Sequence, residues 1–270
     1  MSKLPPTEQS GKYDGLHQMS VGQLVSAMNS VDAEALDAVS NCLSQIESFV
    51  EQLVLRMSIG GRLFYVGAGT SGRLGVVDAS ECPPTFGVDH GRVVGLIAGG
   101  DSAIRKAVEG AEDSETQGWD DLLSNDIGEN DTVVGIAASG RTPYVVGALK
   151  RARLNGILTS CVTCNPNTAV TEHSDYPIEA ITGPEFVAGS TRLKAGTATK
   201  LVLNMITTIT MIKLGHVKGN RMVDMQLSND KLVERGIRMV VEAIGVRAEK
   251  AEELLLKHGS VRNAIKAHQG

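Results

Sequence analysis

The sequence predicts an α/β fold: a three-layer αβα sandwich with a five-stranded parallel sheet, plus a small C-terminal helical appendage. Helical segments separate most of five short apolar runs, which are RLFYV, RVVGLIA, TVVGIAA, ILTSCVT and YPIEAI. Runs that are apolar at consecutive positions are typical of strands buried between two helical layers. The chain has 270 residues, of which 42% are hydrophobic, so it can bury a sizeable core.

The elements before the first strand are predicted from helical spacing of apolar residues. The chain through Gly15 has no clear periodicity and is expected to be irregular. A helix with Val21, Leu24, Val25 and Met28 on one side follows. Asp32 is then expected to cap one long helix that ends at the glycine pair 60–61.

Helices are also predicted between and after the strands. They include residues 102–114 (SAIRKAVEGAEDS), the stretch PYVVGALKRARLNG, and a long helix over about 191–214. The apolar stripe of that long helix indicates either core or a dimer interface; it contains Ala198, Leu201, Val202, Met205, Ile209 and Ile212. We expect one domain over residues 1–226, with the N-terminal helices, and a short helical appendage over 227–270.

Composition and charge exclude several functional classes. The net charge is −5 with both signs interspersed, which gives no nucleic-acid footprint. No apolar run approaches the length of a membrane span and no signal-peptide core is visible, so we expect a cytoplasmic protein. The pair Cys161 and Cys164 closes an apolar strand instead of opening a helix, which disfavours a redox or metal site. We therefore predict no metal.

A glycine-rich loop follows the first predicted strand in the stretch GAGTSGRLG, which begins at Gly67. Its glycine spacing, G-x-G-x-x-G, also occurs in dinucleotide-binding loops. That interpretation requires an uninterrupted helix and an acidic residue about 20 residues further on. Here the proline pair 83–84 is expected to shorten the helix, and the next strand ends in Gly-Gly-Asp at 99–101. The sequence therefore disfavours a nicotinamide cofactor, and we predict no cofactor at all.

The same loop suits a small phosphate, because glycines expose backbone N–H groups at a helix start, where the helix dipole favours an anion. A second strand-loop-helix unit, AASGRTPYVVGAL, repeats this chemistry with Pro143 at a predicted first helical position. Two such loops at one sheet edge are expected to share a crevice. The predicted phosphate or phosphosugar contacts are Thr70, Ser71, Arg73, Ser139, Gly140, Arg141 and Thr142. On the residues alone, simple helix caps and tight turns stay open as an alternative.

Longer stretches resemble one enzyme family. The repeated strand-loop-helix unit resembles the sugar isomerase (SIS) fold. The stretches GAGTSGRLGVVDASECPPTFGV, GIAASGRTPYVVGAL and GSTRLKAGTATKLVLN look like N-acetylmuramic acid 6-phosphate etherases, and the resemblance covers roughly residues 7 to 245. It implies a carbon–oxygen lyase of cell-wall (peptidoglycan) recycling. Such an enzyme releases D-lactate from N-acetylmuramic acid 6-phosphate by elimination, then adds water to give N-acetylglucosamine 6-phosphate. The helical tail is shorter than in many members.

The resemblance also implies roles for two carboxylates. Glu81, in DASECPP, matches the proton donor to the departing lactate, a role that requires a protonated acid in a partly apolar site. Glu112, in AVEGAEDS, matches the second catalytic carboxylate, a base; the residues alone do not separate it from the acids at 109, 113 and 115. Lys194 is a lesser candidate for contact with a substrate carboxylate or phosphate, the alternative being a helix-surface lysine.

Two other functions fit the same fold, because fold alone does not specify chemistry. One is a phosphosugar aldose–ketose isomerase, which would form a ketose in place of D-lactate. The other is a non-catalytic regulatory protein that binds a phosphosugar, which would not need both carboxylates. In each case the partner is a small phosphosugar and not a nucleic acid or a membrane. We also expect a homodimer with its active site near the interface, as SIS proteins commonly pair.

Overall fold

The computed structural model describes residues 4–227 and 229–269. It contains the predicted parallel sheet, and the spatial order of its strands is β2-β1-β3-β4-β5. The strands are β1 (Leu63–Gly67), β2 (Val93–Ile97), β3 (Thr132–Ile136), β4 (Leu158–Thr163) and β5 (Tyr176–Glu179). All five predicted strands are confirmed.

Twelve α-helices lie in the described part of the chain, numbered here in chain order. They are α1 (Val21–Asp32), α2 (Glu34–Ser40), α3 (Leu43–Ser58), α4 (Gly69–Phe86), α5 (Ser102–Arg105), α6 (Gln117–Leu123), α7 (Pro143–Leu154), α8 (Ala169–Glu172), α9 (Lys194–Lys213), α10 (Asp230–Ile244), α11 (Ala248–His258) and α12 (Val261–Gln269). Across residues 4–227 and 229–269, none of the helices has both the length and the apolar character needed to cross a membrane.

The sheet lies between two helical layers, which confirms the predicted sandwich. Side chains of consecutive β1 residues point to opposite faces of the sheet and pack into two different hydrophobic clusters. Leu63 and Tyr65 pack with α2, α3, α4 and α9 on one face, and Phe64 and Val66 pack with α6, α7 and α8 on the other. Every residue of β1 and β3 is buried, which explains their uninterrupted apolar sequences.

The N-terminal helices differ from the prediction. Asp32 does not begin one long helix; it is the last residue of α1, and the chain breaks again between α2 and α3 at residues 41–42. Ser20 caps α1, since its Oγ accepts from the Gln23 N–H at 3.3 Å. The two breaks let α2 and α3 each pack against α9.

Helix α4 is longer than predicted. It continues through Pro83 and Pro84 and ends at Gly87, whose φ of +68° terminates the helix. A proline removes only its own N–H donor, so near the end of a helix few hydrogen bonds are lost. The prediction that the proline pair shortens this helix is therefore wrong.

The predicted helix over 102–114 is also wrong, because only one turn of it forms. Helix α5 ends at Arg105, and the chain continues as a loop with a short 3₁₀ turn at Ala111–Asp113. Arg73 of α4 caps this end, since its Nε and Nη2 donate to the carbonyls of Ile104 and Ala103, each at 2.8 Å. These carbonyls have no helical N–H partner in so short a helix, and the guanidinium satisfies them.

Helix α9 begins at residue 194, three residues later than predicted, and its apolar stripe divides between core and surface. Ala198 and Val202 are buried, whereas Ile209 and Ile212 remain 38% and 43% exposed. Leu201 and Met205 are half-buried between them. The stripe therefore contributes both to the core and to an apolar surface.

The C-terminal helices form a separate hydrophobic cluster. Helices α10, α11 and α12 pack around Met239, Val240 and Leu255. A two-stranded antiparallel hairpin, β6 (Val217–Lys218) and β7 (Arg221–Met222), precedes them. The cluster also contains residues 223 and 225, so its packing begins before the boundary expected at 227.

The carboxylate of Asp224 and a backbone hydrogen bond connect this cluster to the rest of the molecule. Arg262 of α12 donates from Nε and Nη2 to Asp224, each at 2.6 Å, and His216 Nδ1 lies 3.1 Å from the same carboxylate. Gln226 N–H also donates to the Pro84 carbonyl at 3.2 Å. The helical appendage is thereby joined to the C-terminal ends of both α9 and α4.

Candidate active site

The two loops singled out in the sequence follow β1 and β3, which are neighbours in the sheet. The chain adds β2 on one side of β1 and β3 on the other, so the strand order reverses between β1 and β3. Ligands of open α/β sheets bind in the crevice at this switch point, beyond the carboxyl ends of the strands.

The first loop presents the start of an 18-residue helix. Gly69 is the first residue of α4 and has φ +53°, a conformation that favours glycine. The Gly72 N–H makes the first helical hydrogen bond, to the Ala68 carbonyl at 3.1 Å. The N–H groups of residues 69–71 therefore precede the ladder and are suitably placed for an anion.

The glycine at 72 serves packing more than ligand contact. A Cβ there would lie 2.6 Å from Ile97 Cγ1 and 2.8 Å from the Gly67 carbonyl oxygen, so only glycine fits. The uninterrupted α4 removes one objection to a dinucleotide loop. The other remains, because β2 ends at Ile97 and Asp101 lies far beyond the expected distance from the loop.

Glu112 and the first loop border the same small cavity. Its volume is about 160 Å³, and Ala68, Gly69 and Arg73 line one side while Glu109 and Glu112 line the other. Glu112 itself is exposed, on the short 3₁₀ turn. The structure thus places this candidate base beside the candidate phosphate loop. Arg73 also borders the cavity, although its guanidinium is engaged by the backbone of residues 103–104.

The second loop turns at Gly140, which is buried with φ +71° and packs against Thr168. Pro143 is the first residue of α7, as predicted. Ser139 Oγ accepts the Arg141 N–H at 3.4 Å, and the Arg141 side chain is exposed. Thr142 occupies the N-cap position, and within the described part of the chain its hydroxyl makes no capping hydrogen bond.

The start of α9 lies between the two loops. A Cβ at Gly196 would be 3.6 Å from Thr70 Cγ2 of the first loop. Ala195 packs with Ala138, which directly precedes the second loop, and with Cys164. A third helix N-terminus therefore borders the crevice, and its amide groups add to the positive potential there.

Glu81 is distant from this crevice. It lies twelve residues after Gly69 in α4, which at 1.5 Å per residue is about 18 Å along the helix axis. Its side chain is exposed, and in the described part of the chain its carboxylate accepts no hydrogen bond. A single chain therefore does not provide the partly apolar surroundings expected for this acid.

Lys194 is not a helix-surface lysine. Its side chain is 1% exposed, and Nζ donates to Glu34 Oε2 at 2.5 Å. It borders a different cavity, of about 260 Å³, with Lys12 and Glu185. Desolvation raises the pKa of Glu34, but hydrogen bonds from Lys12 and Lys194 outweigh it, so the pKa lies below its usual value. Glu185 accepts from the backbone N–H groups of residues 194 and 195, at the start of α9.

The sequence analysis missed two buried polar residues beneath the second loop. Asn165 Nδ2 donates to the Ala138 carbonyl at 3.0 Å and to Thr7 Oγ1 at 2.9 Å, and its Oδ1 accepts the Thr7 N–H at 3.1 Å. Thr7 is fully buried, so the N-terminal segment is fixed against the carboxyl edge of the sheet. An asparagine at the end of a buried strand was the only local signal of this contact.

All four cysteines are buried and unpaired by disulfides. Burial raises the pKa of Cys161 to about 11 and that of Cys164 to about 12. Neither thiol is therefore a good nucleophile or metal ligand near neutral pH.

Comparison with family models matches most of the chain to SIS-type domains. The N-terminal SIS domain of glucokinase regulatory protein matches residues 45–153, and the general SIS domain matches residues 106–209. The C-terminal lid domain of glucokinase regulatory protein matches residues 219–267. Phosphoheptose isomerase from Neisseria gonorrhoeae superposes with a TM-score of 0.54 at 14% identity, over 71% of this chain and 98% of that one, which supports the fold alone.

Closer relatives cover nearly the whole chain. N-acetylmuramic acid 6-phosphate etherase of Christiangramia forsetii is 60% identical over 99% of this chain and 97% of its own length. The protein of the same name from Bacteroides fragilis is 56% identical over 97% of this chain and 94% of its own length. On this similarity, the chain belongs to the N-acetylmuramic acid 6-phosphate etherase family.

Proposed function

We propose that this protein cleaves the D-lactyl ether of N-acetylmuramic acid 6-phosphate and, after adding water, yields N-acetylglucosamine 6-phosphate and D-lactate. The full-length similarity to etherases carries the choice of substrate. We expect the reaction to take place in the cytoplasm, where it would return a cell-wall amino sugar to metabolism. Its site is the crevice between the ends of β1 and β3.

The phosphate of the substrate binds between the two loops. Backbone N–H groups of residues 69–71 and the hydroxyls of Ser139 and Thr142 act as donors, and α4, α7 and α9 direct their positive ends toward the bound charge. Hydrogen bonds to a charged phosphate are worth about 1.5–3 kcal/mol each, so a few of them fix one end of the sugar.

Two carboxyl groups perform the elimination. Opening of the sugar ring exposes an aldehyde, which acidifies the proton on carbon 2. Glu112 takes that proton, and Glu81 donates a proton to the ether oxygen on carbon 3. The bond between carbon 3 and this oxygen then breaks, and the oxygen leaves as the hydroxyl group of D-lactate. Water then adds across the new double bond at carbon 3. General acid–base catalysis of this kind contributes about 10²–10⁴-fold for each group.

Release of D-lactate is the decisive test. Purified wild-type protein is incubated with N-acetylmuramic acid 6-phosphate, and D-lactate is measured with a coupled dehydrogenase. Glu112→Gln should abolish release, whereas Asp113→Asn, the exposed neighbouring acid, should retain it. A ketose product without lactate would support an isomerase instead, and equal loss in both variants would contradict the choice of Glu112.

The chain also has a surface suited to a second copy. We call it the outer helical face: the exposed side of α3, α4 and α9, with Leu43, Leu55, Val77, Ile209 and Ile212 between 38% and 60% exposed. A groove of about 630 Å³ separates α3 from α9; Glu47 and Glu51 border it on one side and Lys213 on the other. A twofold partner can pair these opposite charges while covering the apolar side chains.

Light scattering tests this pairing. Ile209→Asp should shift the wild-type dimer to a monomer, because the new charge would be buried at the interface. Leu154→Asp is the matched control, since Leu154 is 78% exposed on α7, in the opposite helical layer. A wild-type monomer at micromolar concentration, or equal behaviour of both variants, would argue against this interface.

A further inference from the structure

We infer that the cavity beside Lys194 is a second ligand site, suited to a neutral sugar of one ring and separate from the phosphosugar crevice. This inference goes beyond the proposed function, because the proposed reaction does not involve this cavity. It also gives Lys194 a role that differs from the substrate contact expected from the sequence.

The first turn of α9 separates the cavity from the crevice. Each residue of a helix turns by about 100°, so residues two positions apart lie on nearly opposite sides. Gly196 faces the first loop, since a Cβ built on it would be 3.6 Å from Thr70 Cγ2. Lys194 instead reaches Glu34 of α2. A ligand in the cavity and a phosphosugar in the crevice would therefore contact different sides of this turn.

The ammonium group of Lys194 has hydrogen-bond donors to spare. Its side chain is 1% exposed, and a protonated lysine has three N–H donors. Among the described residues Nζ has one hydrogen-bond acceptor, Glu34 Oε2. Buried donors without acceptors are costly, and these border a cavity of about 260 Å³. A ligand that offers oxygen atoms to Lys194 would remove this cost.

The charges around the cavity favour a neutral ligand. Glu34 accepts from both Lys12 and Lys194, and Glu185 accepts two backbone N–H groups at the start of α9. The charge of Asp32 also acts on Glu185. An anion would add to three acids that face two lysines, whereas a simple cation has no acceptor for the spare donors. A sugar hydroxyl can accept from an ammonium and donate to a carboxylate without adding charge.

Two aromatic side chains provide the apolar wall of the cavity. Tyr13 and Phe186 pack edge to face, with ring centroids 5.6 Å apart and an angle of 61° between the rings. They come from two segments in close contact, since a Cβ on Gly11 would lie 2.9 Å from the Glu185 carbonyl oxygen. The C–H groups of a sugar ring suit such a wall while its hydroxyls reach the polar groups. The volume of about 260 Å³ lies below the range of about 300–1,000 Å³ for drug-sized ligands, which limits the ligand to one ring.

Calorimetric titration with the crevice occupied tests the inference. The wild-type protein is saturated with N-acetylglucosamine 6-phosphate, and unphosphorylated N-acetylglucosamine or glucose is then added as the neutral probe. One further binding event per chain is expected, with a Kd of about 1 mM or below. Absence of binding would mean that water alone satisfies Lys194, and it would overturn the inference. Binding only without the 6-phosphate, or binding of D-lactate or inorganic phosphate in place of the sugars, would overturn it as well.

Substitutions in the cavity locate the site. Phe186→Ala and Lys194→Met should each raise the Kd of the neutral sugar about tenfold or more. Lys200→Met is the matched control, because it removes an exposed lysine of the same helix and should leave this Kd unchanged. Circular dichroism shows whether each variant is folded, and Phe186→Ala tests the site without removing a charge.

The outcomes separate this inference from the proposed function. An unchanged Kd in the folded cavity variants, or an equal rise in Lys200→Met, would overturn the second site. Failure of N-acetylglucosamine 6-phosphate to bind would contradict the proposed function instead. The cavity variants would then still test the sugar site directly, because their effect does not depend on an occupied crevice.

Discussion

Replacing Asn165 by alanine should weaken both the fold and phosphate binding. Three side-chain hydrogen bonds disappear, with lengths from 2.9 to 3.1 Å, two of them to Thr7 and one to the Ala138 carbonyl. That carbonyl keeps two other donors, Cys164 N–H at 3.0 Å and Thr163 Oγ1 at 3.3 Å. The Thr7 N–H, however, is left buried without a partner.

The magnitude follows from these contacts. Three buried hydrogen bonds at about 1 kcal/mol each suggest a loss of about 3 kcal/mol in the free energy of unfolding. For a chain of this size, that corresponds to a fall in Tm of roughly 5–10 °C. Because Ala138 directly precedes the second loop, the loop should also loosen, and KM for the phosphosugar should rise more than kcat falls.

Calorimetry and initial-rate kinetics measure the two effects. Thr132→Val is the matched control: its hydroxyl is buried on β3 and has no hydrogen-bond partner among the described residues, so no bond is lost. Tm should therefore not fall, and KM should stay unchanged. Thr7→Val, which removes one bond, should fall between the two. A wild-type Tm for Asn165→Ala would refute the energetic reasoning, and a lowered Tm with unchanged KM would refute the coupling to the loop.

Three further outcomes are expected. Ser139→Ala and Thr142→Ala should each raise KM by about tenfold or more with a smaller effect on kcat, and unchanged KM in both would place the phosphate elsewhere. Burial raises the pKa of Asp78 to about 6, so the protonated acid stabilises the fold, and this contribution is lost as pH rises from about 4 through about 6. Asp78→Asn should remove that part of the pH dependence of Tm, and identical pH profiles of the variant and the wild type would contradict this. Arg262→Lys breaks the paired bonds to Asp224, so amide hydrogen exchange in α10–α12 should accelerate relative to the sheet; equal rates would show that this contact does not hold the appendage.

Strands were easier to predict from the sequence than helix ends. Each strand is buried over consecutive residues, so its apolar run is a local property that the sequence displays directly. The end of α5 is instead capped by Arg73, which lies about 30 residues earlier, and α4 continues through its prolines because they fall within its last turn. The position of such helix ends depends on tertiary contacts, which the spacing of apolar residues along the sequence does not indicate.

The candidate site shows the same division. The two loops were visible because glycine, hydroxyl and proline positions are local signals, and the topology brings them together at the switch point. Thr7 and Asn165 were not visible, because they are 158 positions apart in sequence. The choice of Glu81 and Glu112 came from family resemblance. Only the structure shows that Glu81 lies near the far end of α4, whereas Glu112 borders the cavity at the start of that helix.

Arg73 affects the cavity through the backbone contacts of its side chain as well as through its charge. By donating to two carbonyls at the end of α5, its guanidinium fastens to α4 the chain that leads to Glu112. An uncharged replacement would leave those carbonyls without this donor and loosen the wall of the cavity that contains Glu109 and Glu112. Loss of turnover in an Arg73 variant would look like loss of a phosphate ligand, although its origin would be a cavity wall that had moved.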